Sequence, residues 1–148
     1  MPNRMGTGSL IQPSRTCQVT DRPRLRVLVI DDEAAVRALW CEFLAALGHE
    51  SDQAANGTDA VRLFDHDPYD LVVTDLVMPG PTGWEVAEAL QRRDPGVGVI
   101  IISGSATNLD RAHAGGLVLL EKPVNLEDFR AALELAWARS SRANGNAP

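Results

Sequence analysis

Several residue classes are scarce in this sequence, and each scarcity excludes a class of protein. Two cysteines among 148 residues, Cys17 and Cys41, cannot form a disulfide framework, and Cys41 lies in an apolar helical stretch where a small core residue is expected. Lysine and arginine number 14 against 20 aspartates and glutamates, which leaves a net charge of −6. This balance disfavours the electrostatic attraction that drives nucleic-acid binding, so we expect no direct DNA binding.

Long apolar runs are also missing. No run approaches the roughly 20 residues of a membrane span, and the first residues lack the basic start and apolar stretch of a signal peptide. We therefore expect a cytoplasmic protein that does not enter a membrane. A hydrophobic fraction of 45% is ordinary for a globular domain of this length.

The two ends of the chain differ in composition from its middle. Residues 1–23 are rich in Gly, Ser, Thr, Pro, Asn and Arg, which predicts a flexible extension, and residues 140–148 read as a disordered tail. Residues 24–139 are expected to form a single domain. The nine residues after Arg139 are too few for an output domain, which favours a stand-alone module, although a piece of a larger hybrid kinase is left open.

Between the ends, short β-branched runs alternate with segments of helical periodicity. Gly48 predicts the end of the first helix, Asn56 or Thr58 the start of the second, and Asn125 the start of the last. Strands are predicted over 25–30, over 49–54, over 71–73 with its end at Thr74–Asp75, over 97–102 with its end at Ser103, and over 117–120. Helices are predicted over 33–47, 83–93 and 106–114, from Asn56 or Thr58 to a break at Pro68, and from Asn125 through Trp137. Five such units predict a doubly wound, five-stranded parallel sheet of the α/β class with helices on both faces.

Polar residues follow the predicted buried strands. Asp31 and Asp32 close the first strand, Asp75 the third and Ser103 the fourth, while Lys122 follows the fifth. The carboxyl ends of parallel strands share one crevice, so these side chains are expected to meet. Carboxylates so close together repel unless a cation neutralises them, and an oxygen-only site suits Mg²⁺. A lysine and a hydroxyl beside that ion suit a phosphoryl group, which an aspartate can accept as an acyl phosphate.

Four motifs carry a resemblance to a known family: VLVIDDE at residues 27–33, VVTDLVMPGPTG at 72–83, IIISG at 100–104 and EKPV at 121–124. In this order and spacing they resemble the receiver domains of bacterial two-component response regulators, of the stand-alone chemotaxis type. The resemblance covers residues 24–139. It implies a flavodoxin-like fold and a phosphorelay function, with a sensor histidine kinase or phosphotransfer protein as phosphoryl donor and a downstream protein partner.

The resemblance also implies the acceptor and the metal ligands. Asp75 would be the phosphoacceptor, and Mg²⁺ would be the cofactor. Asp32 would bind the ion directly, Asp31 largely through water, and the backbone carbonyl of Val77 would complete the protein ligands together with Asp75. Such a protein is not an enzyme towards other substrates, because it catalyses only its own phosphorylation and dephosphorylation.

Further roles follow by the same resemblance. The Ser103 hydroxyl would turn towards the phosphoryl oxygens, and Lys122 would pair with Asp75 and then with the phosphate. The peptide bond before Pro123 is expected to be cis. Gly104 would leave room for the phosphate, and Gly83 would close the loop after the acceptor.

The sequence departs from the family in two places. Leu119 stands where receivers commonly carry the aromatic switch residue, and only 122 − 103 = 19 positions separate Ser103 from Lys122. We therefore expect a fourth helix that is short or poorly ordered, and an output face that uses order and disorder rather than a rotamer switch. By the same resemblance, Val77 and Ser105 flank the path of the attacking water, and neither is acidic or bears an amide, which predicts a moderately long-lived phosphorylated state.

Two alternative functions fit the sequence less well. A phosphatase of the haloacid dehalogenase type would need a DxD pattern after its first strand, and a pseudo-receiver would not need the complete acidic set. Whether the chain forms a homodimer is left open. His49, His66 and His113 share no metal-ligand spacing and are expected at the surface.

Overall fold

The computed structural model describes residues 23–104 and 116–140. The strands are β1 (Arg26–Ile30), β2 (Glu50–Ala54), β3 (Leu71–Asp75), β4 (Gly98–Ser103) and β5 (Val118–Glu121). The helices are α1 (Ala34–Ala46), α2 (Gly57–His66), α3 (Gly83–Arg93) and the last helix (Leu126–Arg139). All strand pairs are parallel and the order is β2-β1-β3-β4-β5, so the predicted five-stranded doubly wound sheet is confirmed.

The order of the strands places the switch point of the sheet between β1 and β3. From β1 the chain moves outward to the edge strand β2, then returns past β1 to β3 and continues to β4 and β5. The polar sequence of β2, ESDQA, suits an edge position, whereas every residue of β3 and β4 is buried. In doubly wound folds, ligands bind beyond the carboxyl ends of the strands at such a switch point.

Two hydrophobic clusters cover the two faces of the sheet, because successive strand side chains point to opposite faces. On one face α2 and α3 pack over Leu28 and Val72. On the other face α1 and the last helix pack over Val27 and Val73. The ring of Trp40 lies parallel to that of Phe129 with centroids 5.6 Å apart, and this contact joins α1 to the last helix.

The helix boundaries follow the signals in the sequence. Gly48, with φ +89°, follows α1 as predicted, a conformation that favours glycine. Of the two predicted starts of α2, Asn56 is the N-cap, since its side chain accepts a hydrogen bond from Asp59 N–H at 2.8 Å. Asn125 caps the last helix in the same way, with a 2.7 Å bond from Asp128 N–H.

Three predictions fall outside the described residues: the extension over 1–22, the tail over 141–148, and the helix over 106–114 together with Ser105 and His113. Ser140, which we assigned to the tail, is buried and ends the last helix. Of the remaining histidines, His66 is exposed as expected. His49 is half-buried and its Nδ1 accepts a hydrogen bond from Leu25 N–H at 3.1 Å, so the surface prediction was wrong there. Within residues 23–104 and 116–140, the structure contains no helix long and apolar enough to cross a membrane.

Candidate functional site

Three carboxylates meet at the carboxyl edge of β1 and β3. Asp31 and Asp32 follow β1 directly, and Asp75 is the last residue of β3. Each offers a carboxylate oxygen, and these oxygens all lie within 4.8 Å of one another. The predicted convergence of the acidic residues is confirmed, since neighbouring parallel strands end side by side at the switch point.

Asp31 is held at its backbone and at one carboxylate oxygen. Its N–H donates to the carbonyl oxygen of Ala54 at 3.2 Å, which extends the pairing of β1 with β2 by one residue. Its Oδ1 accepts a hydrogen bond from Glu33 N–H at 2.9 Å. Among the described residues, Oδ2 of Asp31 is the buried side-chain oxygen that has no hydrogen-bond partner.

The electrostatics of Asp31 fit a cation at this position. Burial raises the pKa of the Asp31 carboxyl, and the negative charges of Asp75 and Asp32 raise it further, while the Glu33 N–H and Lys122 lower it. A buried carboxylate oxygen without a donor is costly unless a positive charge meets it. Since the cluster offers only oxygen, its donors fit a hard ion such as Mg²⁺ rather than a metal that prefers nitrogen or sulfur.

Asp75 has a lysine beside its carboxylate. Lys122 Nζ lies 3.2 Å from Oδ1 of Asp75, and the aspartate side chain is 12% exposed. The next residue, Leu76, donates its N–H to the carbonyl oxygen of Ile102 at 2.9 Å, so the backbone after Asp75 remains paired to β4. The predicted ion pair between Lys122 and Asp75 is confirmed.

Ser103 and Lys122 come from neighbouring strand ends. Asp75 is in register with Ile102, so Ser103 is the next residue along β4, and it is buried. Lys122 N–H donates to the carbonyl oxygen of Ser103 at 2.8 Å, which fixes the start of the lysine loop against β4. The peptide bond between Lys122 and Pro123 is cis, as the resemblance implied.

The loop after Asp75 is anchored at both ends. Gly83 donates its N–H to the carbonyl oxygen of Leu76 at 2.8 Å, and a Cβ at Gly83 would lie 2.5 Å from the carbonyl oxygen of Asp75. Met78 is buried in the cluster beneath α2 and α3, an anchor that the sequence analysis did not identify. Val77, the residue before Met78, is 74% exposed, and its carbonyl as a metal ligand stays a prediction.

Two auxiliary residues lie close to this arrangement. Leu119 is half-buried against the α2–α3 cluster and pairs in register with Ile101, so a leucine packs at the position where the family has its aromatic switch. A Cβ at Gly104 would meet no described atom within 4 Å. Packing against the described residues, which exclude 105–115, therefore does not require a glycine at position 104, and its role beside a phosphate stays a prediction.

Fold and site together define the class: a doubly wound α/β protein with a lysine-paired acidic cluster at the switch point of its sheet. Comparison with known proteins narrows that class. Residues 27–134 match the family described as the response regulator receiver domain. The chain belongs to the response regulator receiver domain family, and the domain is a phosphoacceptor module of two-component signalling.

Individual relatives agree with this assignment. The transcriptional regulatory protein TcrA of Mycobacterium tuberculosis is 34% identical over 124 residues, which are 82% of this chain and 48% of that protein. Sporulation initiation phosphotransferase F of Bacillus subtilis is 29% identical over 112 residues, 74% of this chain and 90% of that protein. The chain spans about half of the length of the first of these relatives.

Solved structures show the same fold. A response regulator receiver domain protein from Clostridium thermocellum matches with a TM-score of 0.70 and 30% identity, over 78% of this chain and 95% of that one. The chemotaxis protein CheY4 of Vibrio cholerae matches with a TM-score of 0.70 and 24% identity, over 76% of this chain and 98% of that one.

Proposed function

We propose that Asp75 is the residue that accepts the phosphoryl group, and that Asp31 and Asp32 hold a Mg²⁺ ion beside it. The observation that carries the proposal is the juxtaposition of the acidic cluster, within 4.8 Å, and the Lys122–Asp75 pair at 3.2 Å. Lys122 at the Asp75 carboxylate, and a cation that the acidic cluster would hold, would both supply positive charge to an incoming phosphoryl group.

The chemistry then divides among the residues of the site. An oxygen of Asp75 attacks phosphorus and forms an acyl phosphate. The P–N bond of a donor phosphohistidine breaks, its electron pair stays on the imidazole nitrogen, and that nitrogen takes up a proton from water. Lys122 Nζ leaves its contact with the carboxylate and pairs with the new phosphoryl oxygens, and the Ser103 hydroxyl donates to a second oxygen. Asp31 and Asp32, together with Asp75, would hold the Mg²⁺ ion, which would supply positive charge to offset the negative charge that develops during transfer.

The context of the domain is part of the proposal. The phosphoryl donor is a sensor histidine kinase or a phosphotransfer protein, the output is a conformational change read by a protein partner, and the protein acts in the cytoplasm without other enzymatic activity. The receiver domain occupies residues 24–139. Relatives include a protein named as a transcriptional regulator and one named as the autoinducer 1 sensor kinase/phosphatase LuxN of Vibrio harveyi, of which this chain covers 13%.

Intact mass spectrometry tests the proposal. The full chain is incubated with Mg²⁺ and acetyl phosphate, a small phosphodonor, with and without a chelator. We expect one phosphoryl-sized mass increase that disappears with the chelator and in Asp75→Asn. Asp65→Asn, at an exposed aspartate paired with Arg93, is the matched control and should be labelled like the wild type. A folded wild-type protein that gains no mass would instead be a pseudo-receiver.

A further inference from the structure

Arg37, a residue of α1, reaches back to the end of β1. Its Nη1 donates to the backbone carbonyl oxygen of Asp31 at 2.7 Å, and its Nε donates to Oε1 of Gln53 on β2 at 3.0 Å. Side chains on a helix lean towards its N-terminus, so a residue in the first turn is well placed to contact the strand that precedes the helix. The guanidinium therefore joins α1, the end of β1 and the edge strand.

The Asp31 carbonyl needs such a donor. The β1–β2 ladder ends with the bond from Asp31 N–H to Ala54, and beyond this point the chain turns into α1. A carbonyl at a strand end has lost its ladder partner and must bond to a side chain or water. A charged guanidinium gives a shorter and stronger bond than a neutral donor does, so it restrains this carbonyl firmly.

The three restraints on Asp31 leave one atom for a ligand. Ala54 fixes its N–H, Arg37 fixes its carbonyl, and Glu33 N–H fixes its Oδ1. The atom that remains is Oδ2, which is buried without a hydrogen-bond partner, on a carboxylate that belongs to the acidic cluster. The Asp31 carbonyl belongs to the peptide unit that joins Asp31 to Asp32, so rotation of this unit would change how the two carboxylates face each other.

We propose that Arg37 is a positioning residue of the Mg²⁺ site, which orients the Asp31 carboxylate through the Asp31 backbone carbonyl. The inference rests on the proposed function, because it presupposes that the acidic cluster binds the ion. Groups that orient metal ligands typically contribute about 10- to 100-fold to metal affinity. Arg37→Ala should therefore weaken Mg²⁺ binding about tenfold, at the lower end of that range, since two other restraints on Asp31 remain.

Charge alone predicts the opposite sign. Arg37 is a cation near a cation site, so its removal would tighten Mg²⁺ binding if long-range repulsion were its main effect. A purely structural role, tying α1 to β2 through Gln53, would lower the resistance to urea and leave the affinity of the folded protein for Mg²⁺ unchanged. Loss of Arg37 therefore weakens Mg²⁺ binding if the residue positions Asp31, tightens it if charge repulsion dominates, and lowers only the stability if the role is structural.

Two measurements distinguish these three roles of Arg37. Isothermal titration with MgCl₂ at constant ionic strength gives the affinity for the ion, and urea unfolding of the metal-free protein gives the stability. The full chain is compared with Arg37→Ala, Arg37→Lys and the control Arg62→Ala, which removes an exposed helical arginine that pairs with Asp59. We expect an affinity about tenfold weaker in Arg37→Ala, intermediate in Arg37→Lys, whose ammonium can still donate to the carbonyl, and unchanged in Arg62→Ala.

Failure of this inference is distinguishable from failure of the proposed function. If the wild type does not bind Mg²⁺, the proposed function fails and the inference fails with it. If the wild type binds but Arg37→Ala binds equally or more tightly, the site stands and the role of Arg37 is refuted. If Arg37→Lys is as weak as Arg37→Ala, a charged donor at this position does not restore the site, and the inference is likewise overturned.

Discussion

Replacing Gly83 by alanine tests how tightly the loop after Asp75 is packed. Gly83 is the first residue of α3, and an added Cβ would lie 2.5 Å from the carbonyl oxygen of Asp75 and 2.9 Å from Cα of Leu76. Both neighbours are backbone atoms, so no side-chain rotation relieves the contact. The helix or the strand end would have to move.

Two opposing effects set the change in the free energy of unfolding that Gly83→Ala causes. Alanine in place of glycine favours a helix by up to about 1 kcal/mol. Overpacking a well-filled site typically costs about 1 to 3 kcal/mol, and a backbone contact of this kind belongs at the upper end of that range. We therefore expect a net loss of about 2 kcal/mol in the free energy of unfolding. Because the displaced atom belongs to Asp75, labelling by acetyl phosphate should slow as well.

Urea unfolding followed by tryptophan fluorescence measures the stability, and intact mass measures the labelling rate. Gly104→Ala is the matched control, since a Cβ there meets no described atom within 4 Å. Its free energy of unfolding should stay within about 0.5 kcal/mol of the wild type. A Gly83→Ala protein as stable as the wild type and labelled at the same rate would refute the packing argument.

Two more predictions follow from the electrostatics. Asp31→Asn should raise the free energy of unfolding of the metal-free protein at pH 7, because a carboxyl whose pKa is raised on folding destabilises the fold once it is ionised. Adding Mg²⁺ at ten times its Kd should raise the free energy of unfolding of the wild type by about 1.4 kcal/mol, and that of Asp31→Asn by less. Urea midpoints of the wild type that are identical with and without the ion would contradict this. Tyr69→Phe should cost about 1 to 2 kcal/mol at pH 7, since the Tyr69 hydroxyl donates to Asp52 at 2.7 Å. The Tyr69 hydroxyl and Arg26 hold the pKa of Asp52 below its usual 3.8, so the difference between the two proteins should shrink as the pH falls below about 4, and a constant difference from pH 7 to pH 3 would refute this assignment.

Much of the fold was predictable because its signals are local. Buried strands appear as short β-branched runs, and Gly48, Asn56 and Asn125 mark helix ends through chemistry that each residue carries by itself. The convergence of the acidic residues was predictable for a topological reason. Once the strands are parallel, residues at their carboxyl ends must share one edge of the sheet.

Other features depend on contacts between distant residues, and no local pattern indicates them. The bond from Arg37 to the Asp31 carbonyl joins a side chain to a backbone atom, which leaves no trace in residue type. The half-buried position of His49 was missed for the same reason, because its partner is the Leu25 N–H. Burial of Met78 beside the exposed Val77 depends on the path of the loop after Asp75.

The last strand was predicted to end at Leu120, one residue before its observed end at Glu121. β4 continues to Ser103 and β5 to Glu121, and these two residues pair in register. Polar residues lower the strand propensity at those positions, but pairing with the neighbouring strand outweighs it. The ladder thus extends into the site, and Ser103 and the residue before Lys122 are held by the sheet rather than by a loop.

Chemical trapping of the phosphorylated residue tests the central claim most directly. The protein is labelled with acetyl phosphate and Mg²⁺, and the acyl phosphate is reduced with borohydride, which converts the modified aspartate to homoserine. Tandem mass spectrometry of the peptides then locates the change. The account predicts homoserine at position 75 alone, with Asp31 and Asp32 unmodified and no conversion when Mg²⁺ is withheld. Conversion at Asp31 or Asp32, or none at Asp75 in a protein that has gained a phosphoryl group, would contradict it.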